Sequence, residues 1–220
     1  MIQSFKQNSK GVDYVVGDIH GMFNILQEKL HQLQFNPEVD RLFSVGDLVD
    51  RGMESDKCLE WLSKHWFHSV RGNHEQMIID AYREDDDRYV AHSFQNGGAW
   101  FFSLFDEDKL SYVEAFEELP YIIEVETING LVGIVHAGSS RNWELFKSNV
   151  ALQDEHTINE AMWTRTKIKS KDTSDIVGLH KLYVGHTPML KVTELGNVVY
   201  VDTGAVYTQD GGFLTVLRIN

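Results

Sequence analysis

Apolar positions in the first half of the chain follow two spacings in turn. Short runs rich in β-branched and aromatic residues occupy positions 12–17, 41–45 and 67–70, the length of strands. Between them the period changes: Phe23, Leu26, Leu30 and Leu33 are spaced to bury one face of a helix. A second helix is predicted over 55–64 and a third opens over 76–82, giving way to Glu84-Asp85-Asp86-Asp87, which reads as a solvated turn. Strands alternating with helical stretches in this way predict βαβ units and a substantially parallel sheet.

The second half changes character. Asn129-Gly130, Gly196-Asn197 and Asp210-Gly211-Gly212 each sit between strand-like runs, a hairpin signature that predicts antiparallel strands. Between the halves, Asn96-Gly97-Gly98 reads as a turn, and the aromatics of Ala99-Trp100-Phe101-Phe102 read as core. No internal repeat, linker or low-complexity tract marks a boundary, so one domain over 1–220 is expected. Its class is mixed α/β: two sheets packed together with helices outside.

Composition narrows the picture. Hydrophobic residues make up 42% of the chain, enough to fill a sizeable core. No apolar run approaches the roughly 20 residues that cross a bilayer, and the first ten residues lack a signal-peptide stretch. A single cysteine, Cys58, allows neither an internal disulfide nor a cysteine-built zinc site, and its helical surroundings mark it as core. Together these point to the cytoplasm and to no membrane partner. The net charge of -13 argues against a nucleic-acid partner, which would require clustered Lys and Arg. An anionic substrate is still admissible, because bound cations can reverse the local potential.

The chemistry is concentrated at strand ends. Five predicted strands run into Gly17-Asp18-Ile19-His20-Gly21, Gly46-Asp47-Leu48-Val49-Asp50-Arg51-Gly52, Arg71-Gly72-Asn73-His74-Glu75, His136-Ala137-Gly138 and Gly185-His186-Thr187. Any one of these is an ordinary turn or a lone polar histidine. Jointly they supply carboxylate, imidazole and amide oxygen, the donor set of manganese, iron or zinc, at the carboxyl ends of strands where α/β sheets hold ligands. On an extended backbone Asp18 and His20 point the same way and can share one ion. Asp47 can bridge it to a second, whose shell Asn73, His136 and His186 complete. Such ions, about 3.5–4 Å apart, acidify a water for attack on a phosphoryl group and clamp its oxygens.

Other residues acquire roles around that centre. Arg51, four residues after Asp47, can hold phosphate oxygens with its forked donors. His74 is the candidate general acid for the leaving alkoxide, with Asp50 orienting it and raising its pKa. Asn73, beside it, is also expected to touch substrate.

In this order, GDIHG, GDLVDRG, GNHE, HAG and VGHTP resemble the signature of the PPP phosphoprotein phosphatases, in particular their phage lambda and bacterial branch. The resemblance extends through Asn96-Gly97-Gly98-Ala99-Trp100-Phe101-Phe102, Met162-Trp163-Thr164-Arg165 and Tyr200-Val201-Asp202-Thr203-Gly204-Ala205-Val206, nearly the whole chain. It implies a metallophosphoesterase fold of two mixed sheets in a sandwich flanked by helices. Two divalent metal ions are implied, manganese being the usual activator, with serine/threonine phosphoproteins or phosphopeptides as substrates. It adds one residue, Arg165, matched to the family's Trp-x-Arg pattern as a second phosphate-binding arginine. His31, His65, His68, His92, His156 and His180 match no motif and are expected to be structural. A monomer is expected. The competing readings are a dinucleoside polyphosphate hydrolase with the same metals, a phosphoprotein-binding scaffold without turnover, and a nuclease, the last weakened by the charge.

Overall fold

The computed structural model describes residues 2–219; Met1 and Asn220, the ends of the expected 1–220 domain, lie outside the described residues. In chain order the first part comprises β1 (Ile2–Phe5), β2 (Asp13–Val16), α1 (Phe23–Gln32), β3 (Arg41–Ser44), α2 (Cys58–Leu62), β4 (Phe67–Ser69) and α3 (Asn73–Arg83). Helices α4 (Asp87–Gln95), α5 (Ala99–Phe102) and α6 (Asp106–Glu118) follow, then β5 (Ile122–Thr127) and β6 (Gly130–Ile134). The last part holds α7 (Trp143–Ala151), α8 (Glu155–Trp163), α9 (Thr166–Ser170), β7 (Lys181–Val184), β8 (Thr193–Leu195), β9 (Val198–Tyr200) and β10 (Val216–Arg218).

The strands form two mixed sheets, one ordered β1-β5-β6-β7-β9-β8 and the other β10-β2-β3-β4. Successive side chains on a strand face opposite ways, and the core divides accordingly. Val15, Phe43, Ile123, Val132, Tyr183 and Val199 meet between the sheets. Their strand neighbours Tyr14, Val16 and Leu42 turn outward onto Phe23 and Leu26 of α1, Trp61 of α2 and Phe116 of α6. Ile122, Leu182 and Val198 pack instead against Trp143 and Phe146 of α7. The result is the expected sandwich with helices on both outer faces. Cys58 is fully buried among the outward-facing apolar residues, and burial pushes its thiol pKa up, as suits core packing.

The expected helices occur with shifted ends. Residues 55–64 divide into a 3-10 turn over Ser55–Lys57 followed by α2, and α3 begins three residues before the predicted 76. Leu33 lies just past α1 and is 39% exposed, so the buried face is Phe23, Leu26 and Leu30 alone. The acidic run is a turn, and it also starts a helix: the Asp86 carboxylate caps α4 by accepting from Arg88 N–H. Side-chain caps at Asn142 and Asp154 start α7 and α8 in the same way, each worth about 1 kcal/mol.

Two expectations are corrected. The second half is not uniformly antiparallel: β5–β6 and β8–β9 are hairpins at the predicted Asn129-Gly130 and Gly196-Asn197, but β6–β7 and β7–β9 pair in parallel. Asp210-Gly211-Gly212 is a turn, with Gly211 at φ 85°, yet it does not close a hairpin. The chain crosses there from β9 in one sheet to β10, which pairs antiparallel with β2 in the other. Strand β1, absent from the sequence reading, adds in parallel to the edge at β5. Among the histidines expected to be structural, His68 stacks between Phe5 and Phe43, and burial lowers its pKa to about 4.

Candidate active site

The parallel registers set Val16 level with Ser44, Ser44 with Ser69, and Ile134 with Tyr183, so the loops that follow leave each sheet together. Hydrogen bonds then join the two sheets' loops. His136 Nδ1 donates to Val45 O at 2.7 Å, and His186 N–H donates to the Asp18 carboxylate at 3.0 Å. Close packing explains the small residues beside the functional ones. A Cβ at Gly185 would overlap Asp18 Oδ1, and one at Gly97, whose φ is 103°, would press on the backbone of Arg51. The Asn96-Gly97-Gly98 turn therefore supports the site as well as redirecting the chain.

Asp47 is the hub. One of its carboxylate oxygens lies 3.4 Å from His136 Nε2, and the other lies 3.7 Å from His20 Nε2 and 3.8 Å from His74 Nε2. Two buried groups of side chains, His20-Asp47-His74 and Asp47-His136-His186, each bring their donor atoms within 4.8 Å of one another and share Asp47. Asn73 Oδ1 stands 2.8 Å from both His136 Nε2 and His186 Nδ1. Asp18 belongs to neither group; its carboxylate faces the His186 amide, and burial with Asp202 and Asp47 nearby raises its pKa. The backbone across Asp18-Ile19-His20 is not extended as expected, since His20 has φ 45°. Asp47, Asp50, Arg51 and His186 also sit at positive φ, a conformation costing on the order of 1–3 kcal/mol at each non-glycine residue. Strain gathered at one place in this way is held by the surrounding structure and is typical of functional sites.

The donors suit a cation. The His20 and His136 Nδ1–H groups are taken by the carbonyls of Val49 and Val45, which leaves the Nε2 lone pairs to face the cluster around Asp47, that of His136 against Asn73 Oδ1 and that of His20 accepting from Arg51. Burial lowers the His20 and His186 pKa values to about 3 and lowers that of His136, favouring the neutral, metal-binding form of imidazole. Burial also opposes a charged Asp47, but the imidazoles of His136, His74 and His20 outweigh it and hold its carboxyl below the usual range. Asp202 lies beside Asp18, with its pKa raised to about 6 chiefly by burial. Lone pairs and buried carboxylates aimed at one volume repel each other unless positive charge is supplied.

His74 occupies the first turn of α3. Its Nδ1 lies 2.7 Å from Asp50 Oδ2, and its Nε2 lies 2.8 Å from Arg51 Nη2. Burial lowers the His74 pKa, but the charges of Asp47 and Asp50 more than compensate and the net shift is upward. Arg51 bridges the two histidines, with Nη1 2.8 Å from His20 Nε2. Arg165 caps α9 and is exposed; its Nη2 donates to the His186 carbonyl at 3.3 Å, which brings it to the rim of the donor groups.

Two further residues belong to this arrangement. Glu75 is fully buried and accepts from Asp47 N–H (3.0 Å), Leu48 N–H (2.7 Å) and Gly72 N–H (2.7 Å), so it ties the Asp47 loop to the start of α3. Burial, with Asp47 adding, lifts its pKa to about 7. Its bond to Gly72 N–H is the glutamate half of a capping box, but Gly72 has no side chain to supply the other half, so the sequence lacks the usual signal. Trp100 Nε1 donates to Asp50 Oδ1 at 2.7 Å, the oxygen that His74 does not use. No local pattern announces that contact. The indole also packs edge-on to Phe101 and Tyr112, the core contact its aromatic run predicts.

Residues 14–209 match the sequence profile of the calcineurin-like phosphoesterases, and the chain belongs to that family. It is 37% identical to Serine/threonine-protein phosphatase 1 of Salmonella typhimurium, covering 94% of this chain and 91% of that protein. It is 36% identical to Serine/threonine-protein phosphatase 2 of Escherichia coli, covering 87% of each. Among solved structures, one described as a yeast protein serine/threonine phosphatase aligns with TM-score 0.58 and 17% identity over 100% of this chain and 83% of its own. That last likeness is one of fold.

Proposed function

We propose that the chain is a metal-dependent phosphoprotein phosphatase that hydrolyses phosphoserine and phosphothreonine monoesters, with 1–220 as one catalytic domain. The observation that carries this reading is the pair of buried donor groups sharing Asp47, with the His74–Asp50 pair against them. The names of the relatives that align over most of the chain support the substrate class. In this reading Asp18, His20, Asp47, Asn73, His136 and His186 would hold two divalent ions, manganese first and iron or zinc as alternatives. Bound there, the ions supply an acidified water as nucleophile and a positive clamp on the phosphoryl oxygens.

The chain's own residues do the rest. Asp50 accepts the Nδ1 proton of His74 and fixes the ring, so Nε2 delivers a proton to the leaving alkoxide. Arg51 and Arg165 bind phosphate oxygens, and Asn73 adds a contact to the substrate. Arg51 exchanges its bonds to His20 and His74 for the phosphate when substrate arrives. We place the protein in the cytoplasm as a monomer acting on phosphoproteins or phosphopeptides, with no membrane partner. The charge of -13 supports the absence of a nucleic-acid partner.

Parallel assays of the manganese-loaded protein on a phosphoserine peptide and on a dinucleoside tetraphosphate test the substrate class. Faster turnover of the peptide is expected. Turnover of the tetraphosphate alone would replace this reading with anhydride hydrolysis at the same centre.

Trp100 enters as a positioning residue that acts through Asp50. Trp100→Phe keeps an aromatic ring in place but leaves a buried carboxylate oxygen without its donor, at about 1–3 kcal/mol. We expect kcat to fall about tenfold on phenyl phosphate and less on p-nitrophenyl phosphate, whose leaving group needs little protonation. Equal losses on both esters would reduce Trp100 to packing.

A further inference from the structure

Arg165 also lines a cavity of about 220 Å³, together with Ser139, Ser140, Arg141, Glu160 and Thr164. Ala137 and Gly138, which follow His136 directly, form part of its wall, so it is built on the same strand end as the donor groups. It has room for one side chain of a bound segment.

The charges around this cavity are unevenly spent. Lys167 is tied to Asp172 at 3.6 Å and to the Ser174 carbonyl at 2.5 Å. Arg165 makes one side-chain hydrogen bond, at 3.3 Å, and Arg141 makes no side-chain hydrogen bond or ion pair among the described residues. Glu160, also in the wall, has no ion pair either, so one carboxylate faces the same space. Two guanidinium groups against one carboxylate leave the unpaired charge of the cavity positive, in a chain whose net charge is -13. A local reversal of that kind attracts anions. A guanidinium fork matches the two oxygens of a carboxylate or phosphate, and the hydroxyls of Ser139, Ser140 and Thr164 can adapt to either.

We propose that this cavity is a subsite for a second anionic group on the substrate, a carboxylate or another phosphate beside the phosphorylated residue, and that Arg141 recognises it. The inference rests on the proposed function, in which Arg165 is engaged by the phosphate that is cleaved. Arg141 is then the cation left to face the neighbouring residue of the peptide. The protein selects acidic or multiply phosphorylated segments over neutral and basic ones.

The test is kcat/KM of the manganese-loaded protein on four phosphoserine peptides that differ at one flanking residue: Glu, phosphoserine, Ala or Lys. Arg141 is exposed, so we expect the Glu or phosphoserine peptide to exceed the Ala peptide about two- to fivefold, mainly through KM, as a solvent-screened charge-assisted bond allows. Which of the two gains more identifies the anion. Arg141→Ala should bring the ratio close to one. Arg141→Glu should invert it in favour of the Lys peptide, a gain that loss of folding cannot mimic.

Equal kcat/KM for the Glu, phosphoserine and Ala peptides, or a preference that survives Arg141→Ala, overturns the subsite while leaving the phosphatase reading intact. Dependence on Arg141 seen only with a dinucleoside tetraphosphate also overturns it, because the occupant would be a polyphosphate chain. If no peptide is hydrolysed while p-nitrophenyl phosphate is, the phosphoprotein reading falls and takes the subsite with it.

Discussion

Asp47→Asn is expected to lower kcat/KM on p-nitrophenyl phosphate by about a thousandfold or more, about 4 kcal/mol of transition-state stabilisation, and to loosen metal retention. The size follows from position. Asp47 is the one side chain common to both donor groups, with its two oxygens divided between His136 on one side and His20 and His74 on the other. Asparagine has nearly the same shape and can still accept the His74 backbone N–H that Asp47 Oδ1 takes at 3.0 Å. The start of α3 should therefore stay in place, and the thermal midpoint of the metal-stripped protein should change little. Metal content after dialysis and kinetics with added manganese read the two effects separately. Full activity in the variant would remove Asp47 from the centre.

His74→Asn is expected to reduce kcat by about 10² or more while metal stays bound. Asparagine can hold a hydrogen bond towards Asp50 Oδ2 but has no proton to give the leaving group. The loss should therefore be larger on phenyl phosphate than on p-nitrophenyl phosphate. This residue also tests a choice the geometry presents, since His74 Nε2 lies within reach of Asp47 and so belongs to one of the donor groups. A general acid predicts unchanged metal stoichiometry and a leaving-group-dependent loss. A metal ligand predicts loss of one ion and an equal fall on both esters, and that outcome would falsify the proton-transfer role.

Much of this site was legible because its parts are local. Each candidate metal donor, and His74 with them, follows a strand within a few positions, and strand ends are readable from apolar runs that stop at glycine. That is why Asp18, His20, Asp47, Asn73, His74, His136 and His186 could be gathered before any coordinates. Their facing was less legible. The positive φ of His20 breaks the extended geometry assumed for Asp18 and His20, and Asp18 instead accepts from the amide of His186, 168 positions away.

Contacts with distant partners were the least visible. Trp100 meets Asp50 across 50 positions, and Glu75 reaches Asp47 across 28; an indole in an aromatic run and a glutamate in a helix carry no local mark of either bond. Arg165 is marked by family resemblance alone, and its side chain's hydrogen bond to the His186 carbonyl, 21 positions away, explains why spacing could not find it. The same limit applies to the fold. The turn at Gly211 was real, but turn chemistry does not say which sheet the next strand joins, and β10 crosses to β2. Strand β1 has two apolar residues in four, and its strand state depends on β5, some 120 positions away.

The most direct measurement of the central claim is p-nitrophenyl phosphate hydrolysis by chelator-stripped protein titrated with manganese, beside Asp47→Asn. The account predicts negligible turnover without metal, activity that rises and saturates as manganese is added, and no comparable recovery in the variant. Turnover that persists in the stripped protein, or that Asp47→Asn recovers in full, would contradict a metal-dependent phosphatase centred on Asp47.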